Sequence, residues 1–386
     1  MNNIRQYNSK QATILVGSLC LMFLDWNGYG YYVFYLPCFY VLFKGAFRYV
    51  DINFMMLLLF GFSYSVIAYF NYGGISYVYN VLPIINFPMA YLMGRMIADT
   101  NIPERQITSL WYFALAMALL TMLSVYVSFI ENGFAFVGRD IELIGYSNEN
   151  GEFLYTATGL YSKIMLLTLF VSFLFFRTNN KKKWLMIITA CVAFVCCLRL
   201  QSRTAIYVIA TSLMIPLLFG SKDFRINKLI GIGFVIAVVS YVLMHYSSEL
   251  LIIDRFQNND AFDNEGGESR MDLSIKTLKE LQNNPFGGMR SSRYAHNLWI
   301  DVARVSGWLP AFILILVTWR WIKITVKVFK LPSVDEYYRL FVVLVSICLL
   351  LYFNTEPILE GASMLFTFSC LFYGMISNYS KYLCKK

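Results

Sequence analysis

The chain has 386 residues, of which 58% are apolar and only 14% are charged, and its mean hydropathy is +0.56. A soluble globular protein carries about 25% charged residues, so this composition excludes a soluble fold, and it also excludes disorder, a coiled coil and a disulfide-rich secreted scaffold. The formal charge of +9 indicates either an anionic partner or an uneven distribution of charge across a membrane.

Apolar runs of the length of a membrane span recur along the chain. The first run has no small-residue cleavage site after it, so we interpret it as an uncleaved span and not as a signal peptide. Twelve helices are predicted, over residues 11–26, 29–46, 53–70, 76–97, 107–130, 154–176, 184–200, 203–219, 229–246, 307–326, 339–355 and 361–379. The predicted fold is an all-α polytopic membrane protein, with residues 1–386 forming a single integral membrane domain.

The charge distribution predicts the orientation of these spans. An even number of spans places both termini on one side, and basic residues favour the cytoplasmic side of short loops. With the termini in the cytoplasm, the inner segments contain 21 basic and 6 acidic residues, or +15, and the outer segments contain 11 basic and 17 acidic residues, or −6. The sum, +15 − 6, recovers the net charge of +9. The basic surplus therefore indicates topology, and we expect no nucleic-acid partner.

Two polar segments exceed the ordinary length of a loop, and both fall on the outer side: a smaller loop at residues 131–153 and a large loop at residues 247–306. Long connections of this kind are typically functional. Within the large loop we predict two short helices, near residues 270–282 and 297–305, that lie on the membrane or on the bundle.

The first of these helices has a start signal and a helical repeat. Ser269 is expected to be its N-cap, with an acidic residue three positions later. Apolar residues then follow at helical spacing, at Met271, Ile275, Leu278 and Leu281.

Several common catalytic patterns do not occur in the sequence. It contains no phosphate-binding loop that ends in Gly-Lys-Ser/Thr, no Gly-x-Ser-x-Gly elbow and only two histidines. ATP hydrolysis and a zinc site built from histidines are therefore not expected. We expect no cofactor, and any chemistry would act on an activated substrate at the outer face.

The predicted outer face is acidic, yet five of its arginines form a candidate set: Arg199, Arg203, Arg270, Arg290 and Arg293. Arg203 begins a predicted helix, where a guanidinium adds to the positive end of the helix dipole and favours an anion. The planar donors of arginine suit a diphosphate. The alternative is that Arg199 and Arg203 end two spans and extend to the membrane surface.

Four segments occur in an informative order. They are Ser202-Arg203-Thr204, then Ser269-Arg270, then Asn284-Pro285-Phe286-Gly287-Gly288, and finally Ala295-His296-Asn297-Leu298-Trp299-Ile300 followed by Gly307. In order and spacing they resemble the shared C-terminal region of the O-antigen ligase and polymerase superfamily. The resemblance covers residues 185–330, and the N-terminal half agrees only in being polytopic.

The resemblance implies a membrane glycosyltransferase that builds bacterial surface polysaccharide at the periplasmic face of the inner membrane. The implied donor is an undecaprenyl diphosphate-linked oligosaccharide, and the implied transfer is independent of metal. A flippase and a chain-length regulator are expected partners, by resemblance only.

Residue roles follow as hypotheses. Arg203 and Arg270 would bind the diphosphate or the incoming glycan, and His296 would activate the acceptor hydroxyl. Asn297 would orient His296 or cap its helix. The remaining candidates each have two interpretations. Arg290 and Arg293 would steer the substrate, or they are solvated. Lys163 would contact the diphosphate or pair with a carboxylate such as Asp25, and Glu356 and Glu360 would hold sugar hydroxyls or pair with arginines.

Three functions remain open at this stage. A polymerase would join lipid-linked repeat units, and we favour it because the chain outside the motifs matches the superfamily weakly. A ligase would transfer the finished chain to lipid A core, and a catalytic outer-face histidine is more characteristic of ligases. A lipid-linked oligosaccharide flippase is the candidate from another class, but it should show charges along a central cavity and two related halves.

Overall fold

The structure is a computed structural model, and it describes residues 9–72, 77–99, 103–133, 141–144, 154–155, 157–176, 180–200, 202–219, 233, 270–289 and 294–383. The side chain of Arg203 is outside this described part. Residues 247–269 and 290–293 of the predicted loop at 247–306 also lie outside it, including Ser269, Arg290 and Arg293.

The described chain is helical except for one short β-ladder. The helices are α1 (Ser9–Leu24), α2 (Gly30–Val33), α3 (Tyr35–Phe43), α4 (Ile52–Tyr72), α5 (Tyr77–Ala98), α6 (Pro103–Glu131), α7 (Ala157–Thr168), α8 (Lys183–Arg199), α9 (Arg203–Phe219), α10 (Arg270–Asn283), α11 (Leu298–Ser306), α12 (Trp308–Phe329), α13 (Glu336–Phe353), α14 (Ile358–Gly361) and α15 (Ser363–Leu383). Short 3-10 helices cover Trp26–Gly28, Ala46–Tyr49 and Leu169–Leu174. Strands β1 (Ile141–Glu142), within the predicted smaller loop, and β2 (Leu154–Tyr155), directly after it, pair antiparallel.

The all-α character of the prediction is confirmed. In the described part of the chain, four helices are long and apolar enough to cross a membrane: α4, α6, α12 and α13. Shorter apolar helical segments lie at Ala12–Leu24, Gly30–Phe43, Gly159–Leu174 and Thr204–Phe219. Apart from residue 233, the predicted run at 229–246 lies outside the described residues, so the count of twelve spans and the cytoplasmic termini stay predictions.

The closest helix packing is between α5 and α15, and it depends on two glycines. A Cβ atom at Gly94 would lie 1.9 Å from the carbonyl oxygen of Leu371, and one at Gly374 would lie 1.9 Å from that of Tyr91. Small residues let two backbones approach in this way, which is a common means of joining apolar helices. The pair therefore fixes the C-terminal helix against the N-terminal half of the chain.

The bundle has two ends with different chemistry. We call the end where α12 begins and α13 ends the upper end. At the lower end, Arg95 pairs with Asp51 at 2.8 Å, and Asn378 donates a hydrogen bond to the Arg95 carbonyl at 3.0 Å. At the upper end, Asn71 at the end of α4 donates hydrogen bonds to the Phe286 and Val305 carbonyls, at 2.7 and 3.0 Å. Helices α10 and α11 are therefore joined to the upper end.

Helices α10 and α11 occupy the predicted positions within one or two residues. The predicted apolar row of α10 has two different environments, however. Leu281 is fully buried together with Leu273, which is 3% exposed, whereas Met271 is 70% exposed. Ile275 and Leu278 are also exposed. The buried face is therefore turned away from most of the row that the periodicity selected, because the helix packs against α11 and the turn after α13.

The two faces of α10 provide a matched stability test. We expect Leu281→Ala to destabilise the protein by about 2–5 kcal/mol, because it removes buried methyl groups and leaves a cavity. Leu278→Ala, on the exposed side of the same helix, should cost less than about 1 kcal/mol. Thermal unfolding of the purified protein in detergent measures both, and equal losses would contradict the assignment of the buried face.

Candidate functional site

The candidate site lies at the upper end, where three segments that are distant in sequence meet. These are the first turn of α10, the residues before α11, and the segment 354–361 between α13 and α15. These segments, together with α11, contain a histidine, two glutamates and two arginines: His296, Glu356, Glu360, Arg270 and Arg304. Their side chains pair across the segments and do not lie apart on a solvated surface.

His296 occupies a backbone conformation that holds its side chain at the site. Its φ is +54°, in the left-handed region that few non-glycine residues adopt. Its Nδ1 atom lies 3.7 Å from Oε2 of Glu356, and neither atom is reached by solvent. A fifth of the His296 side chain is exposed, at 20%. The exposed part of the side chain is therefore away from Nδ1.

Glu356 lies in an apolar environment on its other side. Its side chain is 5% exposed, and it lies beside the hydroxyl of Tyr161 on α7. The ring of Tyr161 meets the ring of Tyr352 edge-on, with centroids 5.7 Å apart. Its carboxylate therefore faces the inward-pointing Nδ1 of His296 from an environment that is otherwise apolar.

Asn297 and Arg270 fix the two chain segments beside this pair. The Asn297 side chain accepts hydrogen bonds from the backbone N–H groups of Trp299 and Ile300, which makes it the N-cap of α11, and it donates one to Asn354 at 3.1 Å. Arg270 donates a hydrogen bond from Nη1 to the Thr355 carbonyl at 3.0 Å. Capping, one of the two predicted roles of Asn297, is thus present in the structure.

Arg304 is a residue of this region that the sequence interpretation missed. It donates two hydrogen bonds to Glu360, both at 2.7 Å, and its Nε lies 3.5 Å from Asp301. Asp301 in turn accepts hydrogen bonds from the backbone N–H groups of Ala295 and Asn297. The sequence signal that could have identified it is the spacing of Asp301 and Arg304, which are three positions apart in a short apolar helix. Glu360 thus has the arginine-pairing role, although its partner is not one of the five arginines considered.

Burial dominates the protonation of the carboxylates around Arg304. It raises the pKa of Glu360 to about 7, and the nearby Arg304 guanidinium only partly opposes this shift. Burial also raises the pKa of Asp301, while its two backbone hydrogen bonds and Arg304 act in the opposite direction. Glu360 therefore changes its charge near neutral pH.

Two other predicted cations, Lys163 and Arg199, interact with residues that lie outside the His296–Glu356 pair. Lys163 forms an ion pair with Asp25 at 2.9 Å, as one of its two interpretations expected. Arg199 is 1% exposed, and it donates a hydrogen bond to Ser128 at 3.1 Å. Its guanidinium also lies 5.5 Å from the ring centre of Phe129. Arg199 is therefore buried between α6 and α8, inside the bundle.

Arg203 begins α9, as predicted, but its side chain is not among those described. Arg290 and Arg293 also lie outside the described residues. The roles of these three arginines therefore stay predictions.

The glycine-rich motif and Gly307 form a backbone contact that supports the site. A Cβ atom at Gly307 would lie 2.2 Å from the Pro285 carbonyl oxygen, and one at Gly287 would lie 2.6 Å from the Gly307 nitrogen. The φ angles of these glycines are +78° and +77°, a region that side chains rarely adopt. The N–H of Trp308 donates to the same Pro285 carbonyl at 3.1 Å. These motifs therefore hold the junction of α11 and α12 against the end of α10.

Comparisons with protein-family models and with curated proteins do not identify a relative. No protein-family model matches the chain, and no curated protein matches it. Within the described residues, no group of three or more His, Cys, Asp and Glu side chains is arranged to hold a metal ion. The functional assignment consequently rests on the site geometry and on the resemblance of the four motifs.

The pKa of Glu360 predicts a dependence of stability on pH. Because this pKa is raised from 4.5 to about 7, the folded state binds a proton more tightly than the unfolded state between these values. Stability should therefore fall as pH rises from about 4.5 to about 7. Glu360→Gln should remove this component, so that the difference in melting temperature between variant and wild type changes by a few degrees across the window. A difference that is constant with pH would contradict the assignment.

The burial of Arg199 predicts a structural effect that is distinct from that of Arg270. We expect Arg199→Ala to destabilise the protein by about 2–4 kcal/mol, because it leaves a cavity and removes the hydrogen bond to Ser128. Arg270 is partly exposed at the start of α10. We therefore expect Arg270→Ala to lower the free energy of unfolding by less than half as much as Arg199→Ala. Melting temperatures of the two purified variants decide the point, and the reverse order would show that Arg199 is accessible.

Proposed function

We propose that this chain is a glycosyltransferase of the bacterial inner membrane that polymerises undecaprenyl diphosphate-linked O-antigen repeat units at the periplasmic face. The observation that supports the proposal best is the pairing of His296 with the buried Glu356, on the same turn whose Thr355 carbonyl binds Arg270. A base and a cation are the two groups that transfer from a diphosphate-linked sugar requires. The order of the four motifs supports it independently.

The base is His296. In the proposed reaction, Nε2 takes the proton of the acceptor hydroxyl while that oxygen attacks the anomeric carbon of the donor sugar. Glu356 stabilises the imidazolium through Nδ1–H, since the charge forms beside a carboxylate in a medium of low dielectric. The proton later leaves to solvent through the exposed side of the ring, which restores the neutral base.

The cation is Arg270, with Arg203 as the second expected arginine. The bond between the anomeric carbon and the diphosphate oxygen breaks as the new glycosidic bond forms, so the leaving group gains negative charge in the transition state. A guanidinium that is already positioned stabilises this charge selectively. The hydrogen bond to Thr355 fixes Arg270 before the substrate arrives.

A ligase that transfers the finished chain to lipid A core is the second candidate. The paired histidine favours it, because a catalytic outer-face histidine is more characteristic of the ligases in the resemblance. Both candidates use the same donor chemistry and differ in the acceptor. The product in the cell therefore distinguishes them.

Deletion of the gene tests the proposal through the surface lipopolysaccharide, separated on a gel. Loss of a polymerase leaves core carrying a single repeat unit, whereas loss of a ligase leaves bare core and long chains on the lipid carrier. Loss of a flippase leaves bare core without periplasmic polymer. A normal ladder in the deletion strain would exclude all three functions.

Turnover of the purified protein tests the residues. With lipid-linked repeat units from the deletion strain as substrate, His296→Ala should lower kcat at least about 100-fold, because it removes the base. Glu356→Gln should lower kcat about 10-fold or more, because it removes the charge that stabilises the imidazolium. Lys279→Ala, at an exposed position of α10, is the matched control and should retain full turnover. Normal turnover by His296→Ala at normal protein levels would refute the assignment of the base.

A further inference from the structure

Tyr294 is an exposed aromatic residue that lies directly beside the proposed base. Its ring centre is 6.5 Å from that of His296, and the two rings meet edge-on. The Arg304 guanidinium lies over the Tyr294 ring, 4.9 Å from its centre. Tyr294 is nevertheless 44% exposed. Arg304 therefore holds the ring in place while much of the ring surface faces outward.

Glu360 stands next to this ring. Its carboxylate is fixed by the two hydrogen bonds from Arg304, yet its side chain remains 27% exposed. Burial raises the pKa of the Tyr294 hydroxyl, and the charges of Glu360 and Asp301 add to this shift. Both carboxylates therefore lie near the Tyr294 hydroxyl. The exposed surface therefore consists of an aromatic face bordered by a rigid hydrogen-bond acceptor.

The charge balance of this surface argues against an anionic ligand. Arg304 is 5% exposed, and it is paired with both Asp301 and Glu360. One buried cation thus faces two carboxylates. A diphosphate would be repelled here, whereas a neutral ligand with hydroxyl groups would donate hydrogen bonds to the carboxylate.

The available space indicates how such a ligand binds. The cleft between Glu360 and Asp301 has a volume of about 10 Å³, which is room for one water. A sugar ring consequently cannot enter this cleft, and a sugar that contacts Glu360 would lie on the surface beside it. An exposed aromatic ring provides a flat apolar support for the C–H face of a pyranose, with polar groups at its edge fixing the hydroxyls.

We propose that Tyr294 and Glu360 form the subsite for the acceptor sugar, in which a pyranose ring stacks on Tyr294 and donates hydroxyl hydrogen bonds to Glu360. This inference rests on the proposed glycosyl transfer, and it identifies where the acceptor sugar of that transfer binds. A sugar in this position presents a neighbouring hydroxyl to the His296 imidazole. The donor diphosphate would then lie on the other side of His296, toward Arg270 and the Thr355 carbonyl.

The test uses an acceptor that lacks the lipid diphosphate. Mild acid releases the repeat-unit oligosaccharide from the lipid carrier of the deletion strain, and this oligosaccharide keeps the acceptor hydroxyl. With the lipid-linked donor at a fixed concentration, Tyr294→Ala should raise the KM for the free oligosaccharide about 10-fold, with kcat changed less than about 3-fold. Tyr294→Phe keeps the ring and should stay within about 3-fold of wild type.

Two further variants complete the set. Glu360→Gln should also raise the KM for the oligosaccharide, because an amide replaces the carboxylate that accepts the sugar hydroxyls. Tyr207→Ala removes an exposed tyrosine of α9 and should leave both constants unchanged. An unchanged KM in Tyr294→Ala, or a loss confined to kcat, would overturn the subsite.

Equilibrium binding separates failure of the subsite from failure of the proposed function. Isothermal titration of the same oligosaccharide into the full-length protein in lipid nanodiscs requires no turnover. If the wild type binds it but makes no polymer, and Tyr294→Ala does not bind it, the subsite stands and the polymerase assignment fails. If the wild type makes polymer and Tyr294→Ala binds the oligosaccharide as wild type does, only the subsite fails. If the wild type does not bind it, the subsite is refuted.

Discussion

The pairing of buried charge in the segment between α13 and α15 is the interaction on which the upper end of the bundle depends. This segment is short, but it provides partners for three cationic or titratable side chains from elsewhere in the chain. Thr355 receives Arg270, Glu356 receives His296 and Glu360 receives Arg304. A single buried charge would be costly in this environment. The requirement for a partner therefore brings α10 and α11 to one place.

The glycine-rich motif has a structural task within this arrangement. Gly287 and Gly307 allow two backbone segments to touch, and Asn71 on α4 closes the contact from the other side. The junction of α11 and α12 is thereby fixed, and with it the N-cap of α11 and the strained backbone of His296. The motif thus supports the site through the backbone, and it is the side chains around it that offer chemistry.

Much of the helical architecture could be predicted, because apolar length and helix-end signals are local properties of the sequence. The ends of α10 and α11 and the capping by Asn297 follow from such signals, and the Lys163–Asp25 pair follows from the cost of an isolated charge among apolar residues. The buried face of α10 could not be predicted in the same way. Its apolar residues occur on two faces, and periodicity does not distinguish the face that meets protein from the face that remains exposed.

The sequence by itself determined the membrane class, the helical fold and the segments that contain the candidate site residues. Composition and spacing depend on the chain alone. Only the tertiary structure decided which of these residues meet. It placed Arg199 in the interior, paired His296 with Glu356, and joined Arg304, Tyr294 and Glu360 into one surface. Partners such as Arg304 and Glu360 are 56 positions apart. Their approach depends on how helices pack, and no local pattern in the sequence records that.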